Sequence, residues 1–201
     1  PTAMIATSGS RPKYTKMTCT KVLTVLPALT GTETSMNAPT VEAYVQAFRD
    51  SYLFYKVDRY DVKGKRLLKT LNKYYIVDPG LRKMLAGSTT RDSGHLLENI
   101  VYLELLRRGY RVSVGKVDVW TRTGGDRLTV EVDFVAERGD TTEYFQVSES
   151  ILDPTTRERE LRPLLSIRDA NPKYLLTRDY STAQYDGVQH INVLQWLLGE
   201  T

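Results

Sequence analysis

Val130-Glu131-Val132-Asp133-Phe134-Val135 alternates apolar and acidic side chains with a period of two, so it reads as a β-strand with Glu131 and Asp133 on one face. Two acids on the face of a mostly apolar strand are costly unless they are paired or metal-bound, or unless that face is open to water. Asp133 is therefore a candidate ligand for a divalent ion. The strand runs over 127–137 between two hairpin turns, Thr123-Gly124-Gly125-Asp126 and Arg138-Gly139-Asp140. Before it come β-prone stretches at 110–114 and 117–121. After it comes 142–148, which ends in Tyr144-Phe145-Gln146-Val147-Ser148.

A helix precedes these strands. Asp92 or Ser93 suits its cap, and it stops at Gly109 behind the basic pair Arg107-Arg108. Leu96, Leu97, Ile100, Val101, Leu103, Leu105 and Leu106 surround nearly its whole circumference, which predicts burial between layers. Glu98 lies on the face of Val101, Tyr102 and Leu105, as a metal or water ligand or as the partner of an arginine such as Arg108. Downstream, a charged helix over 155–167, a strand over 173–177 and a strand end leading into a short helix over 191–198 complete an α, β, β, β, α, β order.

Toward the N-terminus, residues 1–19 carry no period and read as a linker, which suggests a fragment of something longer. A short helix over 20–31 and a second helix with apolar residues at 41, 44, 45 and 48 make a helix-turn-helix. Two β-prone stretches, 53–60 and 74–77, follow around a hairpin tip at Lys63-Gly64-Lys65. The reading is a winged-helix-like domain over 20–85, closed by Asp78-Pro79-Gly80, joined by a polar connector at 86–93 to a second domain over 86–201. In a winged helix the second helix enters a major groove and the wing touches the backbone.

Charge divides in the same way. The chain has 201 residues and a net charge of +4. From Arg49 to Arg91 eleven Lys and Arg face four Asp, whereas from Asp92 onward thirteen basic residues face eighteen acidic ones. The basic half is also rich in tyrosine, a combination suited to phosphate neutralisation and base stacking. Lys63, Lys65, Arg66, Lys69 and Lys73 are the candidate nucleic-acid-binding residues, with double-stranded DNA as the expected partner.

Several chemistries are excluded. Cys19 is the single cysteine, so no internal disulfide forms, and with only His95 and His190 there is no Cys/His zinc cluster. No P-loop motif occurs, and no catalytic triad suggests itself. The apolar runs at 22–29 and 100–106 are too short for a bilayer, so a cytoplasmic protein without a membrane partner is expected.

The α, β, β, β, α, β order with Glu98, Asp133, Gln146 and Ser148 resembles the PD-(D/E)XK nuclease superfamily. There a helix glutamate, a strand aspartate and a Glu-x-Lys on the next strand form the site. The run from Thr40 to Leu198 further resembles the uncharacterised C-terminal region fused to many bacterial and archaeal AAA-type ATPases. The matching motifs are Arg59-Tyr60-Asp61-Val62-Lys63-Gly64-Lys65, Lys73-Tyr74-Tyr75-Ile76-Val77-Asp78-Pro79-Gly80-Leu81-Arg82, Gly94-His95-Leu96-Leu97-Glu98-Asn99, Asp133-Phe134, Tyr144-Phe145-Gln146-Val147-Ser148 and Arg157-Glu158-Arg159-Glu160.

The resemblance implies a mixed α/β architecture, a winged-helix unit followed by a restriction-endonuclease-like domain. It also implies an ATPase domain elsewhere in the same full-length protein, and a catalytic set of Glu98, Asp133, Gln146 and Ser148 with Mg²⁺ or Mn²⁺ on Glu98 and Asp133. Two departures mark that site as degenerate. Gln146 stands where the family has an acid, and Ser148 stands where it has lysine, leaving Arg157 and Arg159 as the nearest cations in sequence. The expectation is therefore a nucleic-acid-binding accessory module without catalysis of its own. A Mg²⁺- or Mn²⁺-dependent nuclease and a protein-interaction or dimerisation domain are the alternatives, and homo-oligomerisation is left open.

Overall fold

The structure, a computed structural model, describes residues 38–86, 93–120 and 127–200. The expected helix over 20–31, Cys19, most of the 86–93 connector and the 123–126 turn lie outside them. A mixed eight-stranded sheet organises the described residues, in the order β2-β1-β3-β4-β5-β6-β8-β7. Its strands are β1 (Phe54–Asp61), β2 (Arg66–Ile76), β3 (Arg111–Trp120), β4 (Arg127–Arg138), β5 (Thr141–Val147), β6 (Lys173–Thr177), β7 (Ala183–Tyr185) and β8 (Val188–Asn192). The helices are α1 (Ala38–Asp50), α2 (Pro79–Ala86), α3 (Ser93–Arg107), α4 (Pro154–Leu165) and α5 (Val193–Leu198).

Local chemistry explains the helix ends. Asp153 caps α4 by accepting from the Thr156 N–H at 2.7 Å, with Pro154 behind it. Asn192 caps α5 through the Leu194 and Gln195 N–H groups. Asp78-Pro79-Gly80, expected to close a unit, instead opens α2, because the Asp78 carboxylate accepts from the Gly80 N–H at 2.7 Å and leaves proline at the first helical position. A stretch that ends one strand can also start a helix.

The sheet separates two apolar layers. On one side α3 and α5 bring Leu97, Val101, Tyr102, Leu105, Val193 and Trp196 onto Val114, Phe134, Phe145 and Leu176. On the other, α4 brings Leu161 and Leu164 onto Val132, Val135, Tyr144, Leu175 and Val188. Leu96, Ile100, Leu103 and Leu106 remain half-buried, so α3 lies on the sheet by one face and is not enclosed all round as its sequence predicts.

Two local irregularities shape the centre of the sheet. First, the β3–β4 register passes from Ser113 opposite Val135 to Gly115 opposite Val132, so Asp133 and Phe134 together face Val114 alone. This bulge ends the strict alternation read from the sequence: Val132 and Val135 enter one core layer, Phe134 and Ala136 the other. Second, the stretches 110–114 and 117–121, read together as one strand candidate, form a single strand that runs through Gly115. A Cβ at Gly115 would meet Val135 Cγ2 at 2.9 Å, Val132 Cβ at 3.1 Å and Val62 Cγ2 at 3.3 Å. Gly115→Ala is accordingly expected to lower stability by about 1–3 kcal/mol, measured as a shift in the urea midpoint; an unchanged midpoint would show that the three valines move apart at no cost.

The hairpin β1–β2 belongs to the same sheet as the rest. Arg59, Tyr60 and Asp61 pair in parallel with Val114, Gly115 and Lys116, and the Val62 N–H reaches the Lys116 carbonyl at 3.1 Å. It is therefore a sheet edge, not a free-standing wing, because the outer hydrogen-bonding row of β1 is used by β3. Its own ladder is interrupted: Val57 pairs with Lys73 but Arg59 with Leu68, so residues 69–72 of β2 stand opposite Asp58 alone, three more than a regular ladder holds. Among the described residues no helix is long and apolar enough to cross a membrane.

Candidate functional site

Three of the four residues expected as a catalytic set converge where α3, β4 and β5 meet, and a lysine joins them from β2. The Lys73 ammonium is hydrogen-bonded to Glu98 and lies 3.9 Å from Asp133 Oδ1. The Tyr75 hydroxyl donates to Glu98 Oε1 at 2.5 Å, and His95 Nδ1 stands 3.7 Å from Glu98 Oε2. Asp133 Oδ2 accepts from the Val147 N–H at 2.9 Å. Gln146 Oε1 accepts from the Asp133 N–H at 3.3 Å, and its amide nitrogen donates to Glu160 Oε2 at 2.9 Å. Arg159 holds the other oxygen of Glu160 at 2.7 Å.

Helix spacing and strand alternation account for the convergence. Glu98 and Asn99 are consecutive on α3 and act on consecutive parts of β2. The Asn99 amide both accepts from the Ile76 N–H and donates to the Ile76 carbonyl, each at 2.9 Å, as a neighbouring strand would. That clamp fixes the register of β2, and Lys73 and Tyr75, two apart on one strand, both point at Glu98. The Tyr75 ring stacks on Tyr102 at 4.4 Å and lies 5.7 Å from Phe134, so the aromatic layer carries the hydroxyl to its acceptor.

The electrostatics are those of a closed ion pair. Burial pushes the Glu98 carboxyl up, but the Lys73 charge and hydrogen bonds from His95, Lys73 and Tyr75 outweigh it and hold the group at about 2. Asp133 goes the other way: burial, then the charge of Glu98, raise it to about 7 against the pull of Lys73 and the Val147 N–H. The Lys73 ammonium is held above its usual value, since the two carboxylates outweigh its burial. Burial and the adjacent Glu98 raise the Tyr75 hydroxyl well above the ordinary phenol range, so it is a donor at any neutral pH. Glu131, the second acid of the alternating strand, is satisfied separately by Arg59 of β1.

This arrangement, as it stands, does not fit Mg²⁺ or Mn²⁺. Such an ion takes carboxylate oxygens and keeps open positions for water and substrate. Here Lys73 occupies the space beside Glu98, and Gln146 spends both ends of its amide on Asp133 and Glu160. Among the described residues no group of three or more His, Cys, Asp or Glu is gathered to hold a metal ion. Ser148 does not enter the cluster; its hydroxyl donates to the Ser150 carbonyl at 3.3 Å. Arg159 reaches the cluster only through Glu160, while Arg157 lies over the Tyr185 ring at 5.9 Å.

The expected basic face divides. Lys63, Lys65 and Arg66 sit exposed at the β1–β2 tip, Arg66 with 74% of its side chain accessible and 3.8 Å from Asp61. The side chain of Lys69 lies outside the described residues. Lys73 is not on that face at all: it is turned inward, and only 22% of its side chain is accessible. Sequence reasoning missed Lys73, Tyr75 and Glu160 as neighbours of Asp133. The available signal was the shared face of Lys73 and Tyr75 on a strand with no other acid to meet them.

Residues 18–92 match a family described as "Domain of unknown function (DUF8612)". Over 175 residues, 85% of its length, the chain is 39% identical to an uncharacterised protein of Haemophilus influenzae, of which the match covers 40%. It is 30% identical over 129 residues, 64% of its length, to an uncharacterised protein of Methanocaldococcus jannaschii, of which the match covers 26%. The chain thus spans less than half the length of these relatives, and neither brings an activity to it.

Proposed function

We propose that this chain is the nucleic-acid-binding accessory module of an AAA-type ATPase, built on a restriction-endonuclease-like core whose site has lost its chemistry. The observation that carries the reading is the opposite fate of the two sets of charges. The carboxylates a nuclease would use are neutralised internally by Lys73, Tyr75 and the Val147 N–H, whereas Lys63, Lys65 and Arg66 project from a hairpin tip into solvent. Exposed cations at the end of a hairpin are suited to neutralising phosphates. The motif resemblance supports the ATPase link, and the greater length of the two relatives leaves room for such a domain. Nucleic-acid cleavage is the weaker reading, since Gln146 and Ser148 supply neither acid nor lysine and the closed cluster has no place for metal.

Duplex affinity measured by fluorescence anisotropy across a salt series tests this reading. Removing the charges of Lys63, Lys65 and Arg66 together is expected to weaken binding at least about tenfold and to reduce the salt slope by about three, one per phosphate contact. Wild-type protein without measurable affinity, or a triple variant with an unchanged slope, would end it.

A further inference from the structure

Lys116 stands on β3 among acids that are each engaged elsewhere. The registers set Asp61, Lys116 and Glu131 side by side across β1, β3 and β4. Val114, two residues earlier, belongs to the apolar layer under α3 and Val117 to the layer under α4, so Lys116 is on the α3 side. Asp61 accepts from the Gly64 N–H at 3.0 Å and lies 3.8 Å from the Arg66 guanidinium. Glu131 pairs with Arg59, and Asp118 accepts from the Thr129 hydroxyl at 2.8 Å. Among the described residues the half-buried Lys116 ammonium forms no ion pair or hydrogen bond. Burial, and then the charge of Arg59, lower it from its usual value against the pull of Asp118. A half-buried cation beside another cation costs stability, and packing alone would be met by a valine, as at 114.

The hairpin tip adjoins this position. The Val62 N–H bonds the Lys116 carbonyl at 3.1 Å, and Lys63, Lys65 and Arg66 follow, all exposed. We infer that the nucleic-acid face continues from the tip onto the α3 side of the sheet, with the Lys116 ammonium as a further contact to a backbone phosphate. Arg66 and Arg59 offset the flanking Asp61 and Glu131, which leaves Lys116, with Lys63 and Lys65, to meet the phosphates. The phosphate supplies the counter-charge that the fold withholds. This inference rests on the nucleic-acid reading above and adds to it the side of the sheet on which the duplex lies.

The experiment compares Lys116→Gln with wild type in the same salt series and in urea unfolding. Duplex affinity is expected to fall about two- to fivefold, equally on duplexes of unrelated sequence, and the salt slope to fall by about one. Lys116→Arg should restore both. Arg111→Gln, at the far end of β3 and held by Glu137 at 2.8 Å, should change neither. The urea midpoint of Lys116→Gln is expected to stay or to rise, because the replacement removes a half-buried charge that no described residue pairs with. An unchanged slope for Lys116→Gln, while the triple tip variant loses its three contacts, overturns this inference and leaves the nucleic-acid reading standing; wild-type protein without affinity for duplex overturns both. A lowered midpoint, or a variant that does not fold, shows that the neighbouring acids hold the ammonium, and an equal loss in Arg111→Gln shows an effect of net charge alone. Either result overturns the inference.

Discussion

Glu98→Ala is expected to lower the free energy of unfolding by about 3 kcal/mol or more, the largest effect of any single replacement in the cluster. The substitution leaves the buried Lys73 ammonium with Asp133, 3.9 Å away, as its remaining counter-charge and deprives the buried Tyr75 hydroxyl of its acceptor. A buried cation stripped of its nearer counter-charge and an unsatisfied donor are each expensive, and here one deletion creates both. Glu98→Gln keeps an acceptor for Tyr75 and should cost less. The pair is isolated by a double-mutant cycle: Lys73→Met in the Glu98→Ala background should restore part of the loss, with a coupling of about 1–3 kcal/mol. Urea unfolding followed by tyrosine and tryptophan fluorescence reads all four corners. Additive losses would mean that Lys73 and Glu98 act independently and that the cluster is not a closed ion pair.

The second large effect is on pH dependence, and its sign is unusual for a carboxylate in an ion-pair cluster. The Asp133 carboxyl is raised to about 7, by burial first and the Glu98 charge second. Between about pH 4, where it titrates when unfolded, and pH 7 the folded chain keeps a proton that the unfolded chain has released. Stability from this group therefore falls as pH rises through that window. Glu98 has the opposite sign. Held at about 2 in the folded chain, it contributes fully above its unfolded value and loses that contribution as pH falls toward 2. The two together predict a maximum in their joint contribution near pH 4–5. Asp133→Asn removes the descending limb, so relative to wild type it should gain on the order of 3–4 kcal/mol between pH 4 and pH 8, at about 1.4 kcal/mol for each pH unit separating the folded and unfolded titrations. Unfolding curves for the two proteins at a series of pH values give the difference directly. A difference that stays flat from pH 4 to pH 8 would show that Asp133 ionises as an ordinary carboxylate.

The interior of this cluster makes sense of a motif pairing that sequence leaves unexplained. Lys73-Tyr74-Tyr75-Ile76 reads as part of a basic, tyrosine-rich strand, and Glu98-Asn99 as a polar interruption of an apolar helix. In space the two motifs are one unit: Glu98 takes the side chains of 73 and 75, and Asn99 takes the backbone of 76. Local pattern reports the period of each element, but neither motif contains information about which partner it meets.

Element types and their order are legible in the chain before any contact is known. The alternation at 130–135, the capped apolar run from 93, the hairpin tip at 63–65 and the strand over 173–177 all rest on periodicities and turn residues acting over a few positions. The motif resemblance, not the periodicity, brought Glu98, Asp133, Gln146 and Ser148 forward as one set, of which Ser148 stands apart in the fold. Three further features emerge only from the folded arrangement: β1 and β2 extend the same sheet, a bulge beside Gly115 turns Asp133 toward Glu98, and Lys73 faces inward instead of outward. Each depends on contacts between residues far apart in the chain. A lysine has the same helix and strand preferences whether its ammonium meets water or a buried carboxylate, so its side of the fold is set by the partner that packing supplies.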